Sequence, residues 1–310
     1  MNAWKYGCWL THATSSRSGQ STAAAQLEAN AAHAQALKQH PLVRCALGFR
    51  ASFACDDDLL SRLGRLRMDL GVGAHGHVAE SEEDLAKTTA QYNEGIVDRF
   101  DRHGLLGGDC IAAQGRPIDE AQSERLAQTG TVVALSPLTR LIDNPGGGWD
   151  TLLVPHALVA LGTGGSISLR EEALVSFAAA VRLARLGQLL DPERMLSRLL
   201  VDAPAQLSAR VFGEATGAVE VGECADLVVY DFIPAEENAS ARAPLQLVDM
   251  VRSPVAWTIV AGQVVMREGR FLAHDYLELA EEAHSALHSL RSRTGVHCTA
   301  PPSGGGAELP

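Results

Sequence analysis

The stretch Gly73-Ala74-His75-Gly76-His77-Val78-Ala79-Glu80 places two histidines at alternate positions of an apolar segment, with a glutamate three residues after the second. This pattern predicts a strand that ends in a polar loop. A neutral imidazole can hold a divalent ion, and a nearby glutamate can take and return the proton of a bound water, so the stretch is a candidate for metal-assisted hydrolysis. A strand-end histidine is also typical of a polar residue satisfied within the fold, and the spacing alone leaves both interpretations open.

On both sides of this strand, apolar strands alternate with amphipathic helices. The patterns predict helices over 22–39, 55–70, 81–103, 119–129 and 169–186, and strands over 7–13, 42–49, 72–79, 110–113, 131–135 and 158–163. Near-continuous apolar strands that alternate with helices are typical of a parallel sheet covered by helices. The predicted fold class is therefore α/β, with polar residues gathered where the strands end.

The pattern changes after residue 191. Two helices over 192–203 and 205–212 are followed by a strand over 225–231, a hairpin of 255–260 with 263–266, and a helix over 276–293. We expect an incomplete TIM-type (β/α) barrel over 1–212 and the remnant of a small β-domain over 213–272. A C-terminal helix over 273–294 and a disordered, Pro- and Gly-rich tail over 295–310 complete the predicted organisation.

The composition indicates a globular protein and argues against two kinds of partner. The 310 residues are 46% hydrophobic and 20% charged, with a formal net charge of −11. This charge opposes nucleic-acid phosphates and anionic membranes, so we expect neither as a partner. Six cysteines without CxxC pairs are typical of reduced thiols. The sequence contains neither an export signal nor an apolar run long enough to span a bilayer, and we expect a cytoplasmic protein.

The order of motifs resembles the amidohydrolase superfamily, and within it the SsnA-like aminohydrolases near the chlorohydrolases and aromatic deaminases. The matching landmarks lie between residues 7 and 293: Ser15-Ser16-Arg17-Ser18-Gly19, Gly48-Phe49-Arg50-Ala51-Ser52-Phe53, His75-Gly76-His77-Val78-Ala79-Glu80, Leu161-Gly162-Thr163-Gly164-Gly165, Ala225-Asp226-Leu227-Val228-Val229 and Val260-Ala261-Gly262-Gln263-Val264-Val265. The resemblance implies a metal-dependent (β/α) barrel with a small β-domain that cleaves or deaminates C–N bonds of small nitrogenous molecules.

The resemblance also implies a ligand set that this sequence matches only in part. The family's strand-five histidine falls on His77 and its proton-transfer glutamate on Glu80, while His75 is expected to line the pocket. The strand-six histidine falls on Gln114 and the strand-eight aspartate on Gly164. The HxH pair of the first strand has no counterpart, because the chain is expected to begin near the family's third strand. Since a catalytic metal usually needs about three protein ligands, we expect no metal on this chain alone, and zinc or iron only if a partner completes the site.

Two arginines stand where the family has other residues. Arg50 replaces the histidine of a substrate loop, and Arg140 lies in the rewritten strand-seven motif. One hypothesis is that their guanidinium groups bind a carboxylate or phosphate in the pocket. The other, which we favour, is that they pair with Glu80 or with the carboxylates of 56–58 and fill space.

Two functions are consistent with these matches and departures. One is a non-catalytic pseudoenzyme subunit that scaffolds or regulates a partner enzyme, which Gln114 and Gly164 favour. The other is a metal-dependent hydrolase or deaminase of C–N bonds, active only with ligands from a partner chain, which the intact stretch from His75 to Glu80 favours. A late-starting fragment of a longer protein would explain the same departures. Because an incomplete barrel exposes unpaired strand edges, we expect a homo- or hetero-oligomer, with a full-length amidohydrolase relative as one candidate partner.

Overall fold

The computed structural model describes residues 23–114, 118–138, 141, 157–164, 168–187, 191–213, 216–232 and 251–294. In these ranges the chain forms a five-stranded parallel sheet, a four-stranded antiparallel sheet and the helices that accompany them. The predicted α/β class is confirmed. None of the helices in the described ranges is long and apolar enough to cross a membrane.

The parallel sheet follows chain order, and each strand pairs with the next. Its strands are β1 (Ala46–Phe49), β2 (Gly73–Val78), β3 (Ile111–Gln114), β4 (Val132–Leu135) and β5 (Leu158–Leu161). The helices among them are α1 (Ala23–Leu37), α2 (Asp57–Leu70), α3 (Glu82–Tyr92), α4 (Ile96–Arg102), α5 (Glu120–Thr129) and α6 (Leu169–Arg185). Because all five strands are parallel, they end at one edge of the sheet, which we call the carboxyl edge.

The ends of α2 show how the local sequence sets the boundaries of a helix. The side chain of Asp56 accepts a hydrogen bond from the backbone N–H of Leu59 at 2.9 Å, and Asp57 and Asp58 add negative charge to the first turn. Gly71 ends the helix with φ of +66°, a conformation that glycine adopts at little cost. The helix predicted from this aspartate run is confirmed.

Two predicted helix boundaries are wrong. The single helix predicted over 81–103 is two helices, because Asn93 adopts a left-handed conformation with φ of +52° and ends α3. The two helices predicted over 192–212 form one helical run instead: α7 (Pro192–Ser197), a π-helical segment (Arg198–Asp202) and α8 (Ala203–Phe212). Pro204 lacks the N–H that an α-helix would bond four residues back, and its ring crowds the carbonyl there, which favours the wider π turn before it.

The antiparallel sheet contains β6 (Leu227–Tyr230), β7 (Val255–Val260), β8 (Gln263–Arg267) and β9 (Arg270–Phe271), and helix α9 (Tyr276–Thr294) follows it. The predicted hairpin turns at Ala261 and Gly262, which both have positive φ, as the tight turns of hairpins require. Asp226 Oδ1 accepts a hydrogen bond from the Ala261 N–H at 2.7 Å and fixes this turn. The predicted strand over 7–13 and the tail over 295–310 lie outside the described residues, and the domain boundaries stay predictions.

Gly76, which has no side chain, allows the Phe49 ring to pack directly against the backbone of β2. It stands beside Phe49 in the β1–β2 register, and a Cβ atom at this position would come within 2.0 Å of the Phe49 ring. That ring also meets Phe100 edge to face, with centroids 4.9 Å apart. The glycine between the two histidines is therefore a packing requirement of the fold.

Three of the cysteines are buried free thiols, in agreement with the prediction of reduced, packed cysteines: Cys45, Cys55 and Cys110. Burial raises the pKa of the Cys55 and Cys110 thiols to about 12. These groups therefore stay protonated at neutral pH and act as small apolar residues.

A buried arginine organises the loop that follows β1. The Arg99 side chain is fully buried and donates to the Asp57 carboxylate at 2.9 Å and to the carbonyls of Ser52 and Cys55 at 2.8 and 2.7 Å. Its guanidinium also lies over the Tyr92 ring, 3.4 Å from the centroid. A buried cation is tolerated because these hydrogen bonds replace those that water would make.

Replacing Arg99 with methionine is expected to lower the free energy of unfolding by about 3 kcal/mol, because two buried carbonyls lose their donor and Asp57 keeps only its contacts with Arg102 and His103. The matched control is Arg125→Met, which removes an arginine that pairs with Asp98 and Asp101 at the surface and should cost less than about 1 kcal/mol. Urea denaturation of both variants measures the difference. Equal losses would show that the Arg99 network contributes no more than a surface pair.

Candidate functional site

Both histidines of β2 lie toward the carboxyl edge. In the parallel register His75 stands beside Gly48 of β1 and Ile111 of β3, and His77 stands beside Ala113. Residues two apart on a strand face the same side of a sheet, so the two imidazoles share one face.

The loop after β2 brings Glu80 back to His77. Nδ1 of His77 lies 3.1 Å from Oε2 of Glu80, and this nitrogen makes no hydrogen bond in the described part of the chain. Arg50, which directly follows β1, contacts the same carboxylate. Its Nη2 donates to Oε1 at 2.8 Å and its Nε to Oε2 at 3.4 Å. The predicted pairing of Arg50 with Glu80 is therefore confirmed.

The surroundings fix the charge states of these groups. Partial burial acts to raise the pKa of the Glu80 carboxyl, but the hydrogen bonds from Arg50 and the electrostatic effects of His77 and Arg50 outweigh it and hold that pKa below its usual range. Burial, with a smaller effect from His77, lowers the pKa of His75 to about 4. At neutral pH Glu80 is therefore a carboxylate and His75 a neutral imidazole.

A buried carboxylate that the sequence did not single out holds Glu80 in place. Asp84, in the first turn of α3, is 1% exposed, and its Oδ2 accepts a hydrogen bond from the backbone N–H of Glu80 at 3.1 Å. The backbone N–H of Phe53, in the loop after β1, also donates to this carboxylate. Asp84 thus joins the loops that carry Arg50 and Glu80. In the sequence it resembles any acidic residue of a helix first turn, and only its burial reveals the role.

The remaining predicted residues lie at other strand ends. Gln114 is the last residue of β3 and adopts a positive φ of +80°. Gly164 follows β5 with φ of +58°, and a Cβ atom there would meet none of the described residues within 4 Å. Ser136, after β4, donates to the Gly162 carbonyl at 2.7 Å and joins the ends of β4 and β5. Arg140 lies outside the described residues.

The described residues do not fit a catalytic metal centre. Within these ranges no three His, Cys, Asp or Glu side chains are grouped so as to hold an ion. His77 offers an imidazole, but Gln114 offers only an amide and Gly164 no side chain, whereas a catalytic zinc usually has about three protein ligands. What the site does offer is a carboxylate and an imidazole in contact, with a guanidinium beside them.

Replacing Asp84 with alanine is expected to lower the free energy of unfolding by about 1–3 kcal/mol, because the backbone N–H groups of Glu80 and Phe53 would lose a buried acceptor. Urea denaturation measures the loss. Asp98→Ala, which removes a carboxylate exposed on α4, is the control and should change stability by less than about 1 kcal/mol. A loss no larger than that of the control would mean that Asp84 does not hold the two loops together.

Comparison with known proteins identifies the family. The model of the amidohydrolase family matches residues 4–265. The 5'-deoxyadenosine deaminase of Methanopyrus kandleri is 28% identical over 258 residues, which cover 81% of this chain and 59% of that protein. The 5-methylthioadenosine/S-adenosylhomocysteine deaminase of Syntrophobacter fumaroxidans is 26% identical over 258 residues, covering 82% and 59%. The chain thus spans 59% of the length of these curated relatives.

Solved structures agree on the fold. An adenosine deaminase from Xanthomonas campestris with bound zinc superposes with a TM-score of 0.77 at 21% identity, covering 92% of this chain and 66% of that one. A guanine deaminase from C. acetobutylicum with bound guanine gives 0.70 at 15% identity, covering 83% and 65%. The five-stranded parallel sheet and its helices match these TIM-barrel-like neighbours, and the predicted resemblance to the amidohydrolase superfamily is confirmed. This chain belongs to the amidohydrolase family.

Proposed function

We propose that this chain contributes the proton-transfer group of a hydrolase that acts on C–N bonds of small nitrogen heterocycles. The observation that carries the proposal is the contact of 3.1 Å between His77 and Glu80 at the carboxyl edge, in a chain that belongs to the amidohydrolase family. A strand-end imidazole beside an ionised carboxylate is an arrangement suited to accepting and returning a proton.

The relatives support a substrate class. Their names specify deaminases of 5'-deoxyadenosine, 5-methylthioadenosine or S-adenosylhomocysteine, adenosine and guanine. All of these compounds carry an amino group on a purine ring. Their hydrolysis adds water to the ring carbon that bears the amino group and releases ammonia. We extend this class, amino-substituted purines and related rings, to the present chain.

In this proposal Glu80 has the central role. Its carboxylate takes a proton from the attacking water and delivers one to the departing amino nitrogen, so it ends the cycle in its starting state. His77 contacts the carboxylate, and neutral His75 lies on the same strand face as His77. Because the described residues do not fit a metal centre, the proposal assigns to them proton transfer and positioning only, and we place the remaining groups of the site on a partner chain or outside the described ranges.

Replacing Glu80 with glutamine is expected to reduce ammonia release from aminopurine nucleosides by roughly 10²- to 10⁴-fold, the usual contribution of a general acid or base. The matched control is Glu83→Gln, which alters an exposed glutamate of α3 that pairs only with Lys87 in the described ranges and should leave the rate unchanged. Ammonia release is measured on 5'-deoxyadenosine, methylthioadenosine, S-adenosylhomocysteine and adenosine. If both variants are as active as the unchanged protein, Glu80 is not the proton-transfer group.

A second candidate is a non-catalytic subunit that scaffolds or regulates a partner enzyme, as a homo- or hetero-oligomer. It is favoured by the two positions onto which the resemblance places metal ligands, since Gln114 carries an amide and Gly164 carries no side chain. The ion pair between Arg50 and Glu80 also favours it, because the carboxylate is already engaged.

Metal content distinguishes the two candidates. If the second is correct, neither the zinc or iron content of the native assembly nor its release of ammonia should change in His77→Ala. Plasma mass spectrometry on the purified assembly measures the metal. A content near one equivalent that is lost in His77→Ala and kept in His284→Ala, a control on α9, would favour the hydrolase.

A further inference from the structure

The guanidinium of Arg50 is hydrogen-bonded to the carboxylate of Glu80, the group that is proposed to transfer protons. The two groups share a two-point contact, Nη2 to Oε1 at 2.8 Å and Nε to Oε2 at 3.4 Å. Oε2 of Glu80 is also the oxygen that lies beside His77. Both carboxylate oxygens are therefore engaged, and a water molecule would compete with Arg50 for them.

Arg50 is nevertheless open to a ligand. Its side chain is 58% exposed, against 28% for that of Glu80, so the guanidinium forms the outer member of the pair. A planar guanidinium donates two parallel hydrogen bonds to a carboxylate, and Arg50 makes this contact with Glu80 within the protein. An incoming carboxylate could thus make the same two hydrogen bonds from the solvent side.

The backbone around the pair is anchored, so an exchange of partners needs only side-chain movement. The buried Asp84 carboxylate accepts from the N–H groups of Glu80 and Phe53 and joins the two loops. Arg99 holds the carbonyls of Ser52 and Cys55 in the same loop as Arg50.

We propose that Arg50 recognises a carboxylate on the substrate, and that this carboxylate takes the place of Glu80 on the guanidinium and frees Glu80 for proton transfer. The inference rests on the proposed function, to which it adds a substrate class: nitrogen heterocycles with a carboxylate-bearing side chain. A substrate with such a group keeps Arg50 paired when Glu80 is released. A substrate without one must separate the ion pair with no replacement, and Arg50 therefore determines specificity.

Two nucleosides provide the test. S-adenosylhomocysteine and methylthioadenosine share the adenine, the ribose and the thioether sulfur, but only the former ends in an amino acid with a carboxylate. Isothermal titration calorimetry on the native assembly should give an affinity for S-adenosylhomocysteine roughly 10- to 100-fold higher, the range expected of charge-assisted hydrogen bonds. Arg50→Gln should abolish this preference, because S-adenosylhomocysteine loses the guanidinium and methylthioadenosine no longer has an ion pair to separate, and Arg50→Lys should retain part of it.

The control is Arg62→Gln, which alters an arginine of α2 that is paired with Asp58 and should keep the full preference. Equal affinities for the two nucleosides, a preference unchanged by Arg50→Gln, or binding of neither nucleoside would overturn the proposal. Tighter binding of adenosine monophosphate than of S-adenosylhomocysteine would also overturn it and assign Arg50 to phosphate.

Ammonia release measured on the same samples separates this inference from the proposed function. A preference that depends on Arg50, found without any ammonia release, would support carboxylate recognition and contradict the hydrolase. Ammonia release at equal efficiency from both nucleosides, with no effect of Arg50→Gln, would support the hydrolase and contradict carboxylate recognition by Arg50.

Discussion

The parallel pairing of β1 with β2 is the constraint on which the site depends. It sets Phe49 beside Gly76, and the strand ends that follow then bring Arg50 and Glu80 within hydrogen-bond distance although 30 positions separate them in the chain. A shift of the register by one residue would turn both histidines to the opposite face of the sheet and drive a side chain into the Phe49 ring. The same packing that closes the core therefore determines which groups meet at the carboxyl edge.

Two buried charged side chains hold the loops that follow β1 and β2 in place. Arg99 holds the loop after β1 through two carbonyls, and Asp84 holds both this loop and the one after β2 through backbone N–H groups. Each is a costly group to bury, and each is tolerated because backbone atoms satisfy it. Such anchoring places two flexible side chains, those of Arg50 and Glu80, on a rigid base, so that their partners can change without rearrangement of the backbone.

The local sequence was sufficient to predict most of the helices and strands and part of the candidate site. The aspartate run at 56–58 and the alternation of apolar strands with helices predicted α2 and the parallel sheet, because caps and periodicity are local properties. The break at Asn93 was not predicted, since asparagine also occurs inside helices. The roles of Asp84 and Arg99 were not predicted because they depend on burial and on contacts with loops distant in sequence. The Arg50–Glu80 pair could be anticipated only because the resemblance placed both residues at neighbouring strand ends.

The backbone conformation at Gly164 is relevant to one departure from the family pattern, the glycine that stands where the resemblance places an aspartate. Its φ of +58° is one that aspartate and asparagine tolerate better than other residues with a side chain, and a Cβ atom would meet no neighbour within 4 Å in the described ranges. The backbone conformation and the space at the position onto which the resemblance places an aspartate are therefore compatible with an aspartate side chain. Across the carboxyl edge, the charge of Glu80 is balanced by Arg50, so the carboxylate needs no other cation to be stable in its half-buried position. A site of this kind can change its ligands by side-chain substitution alone, because the strands and anchored loops beneath it do not depend on what it binds.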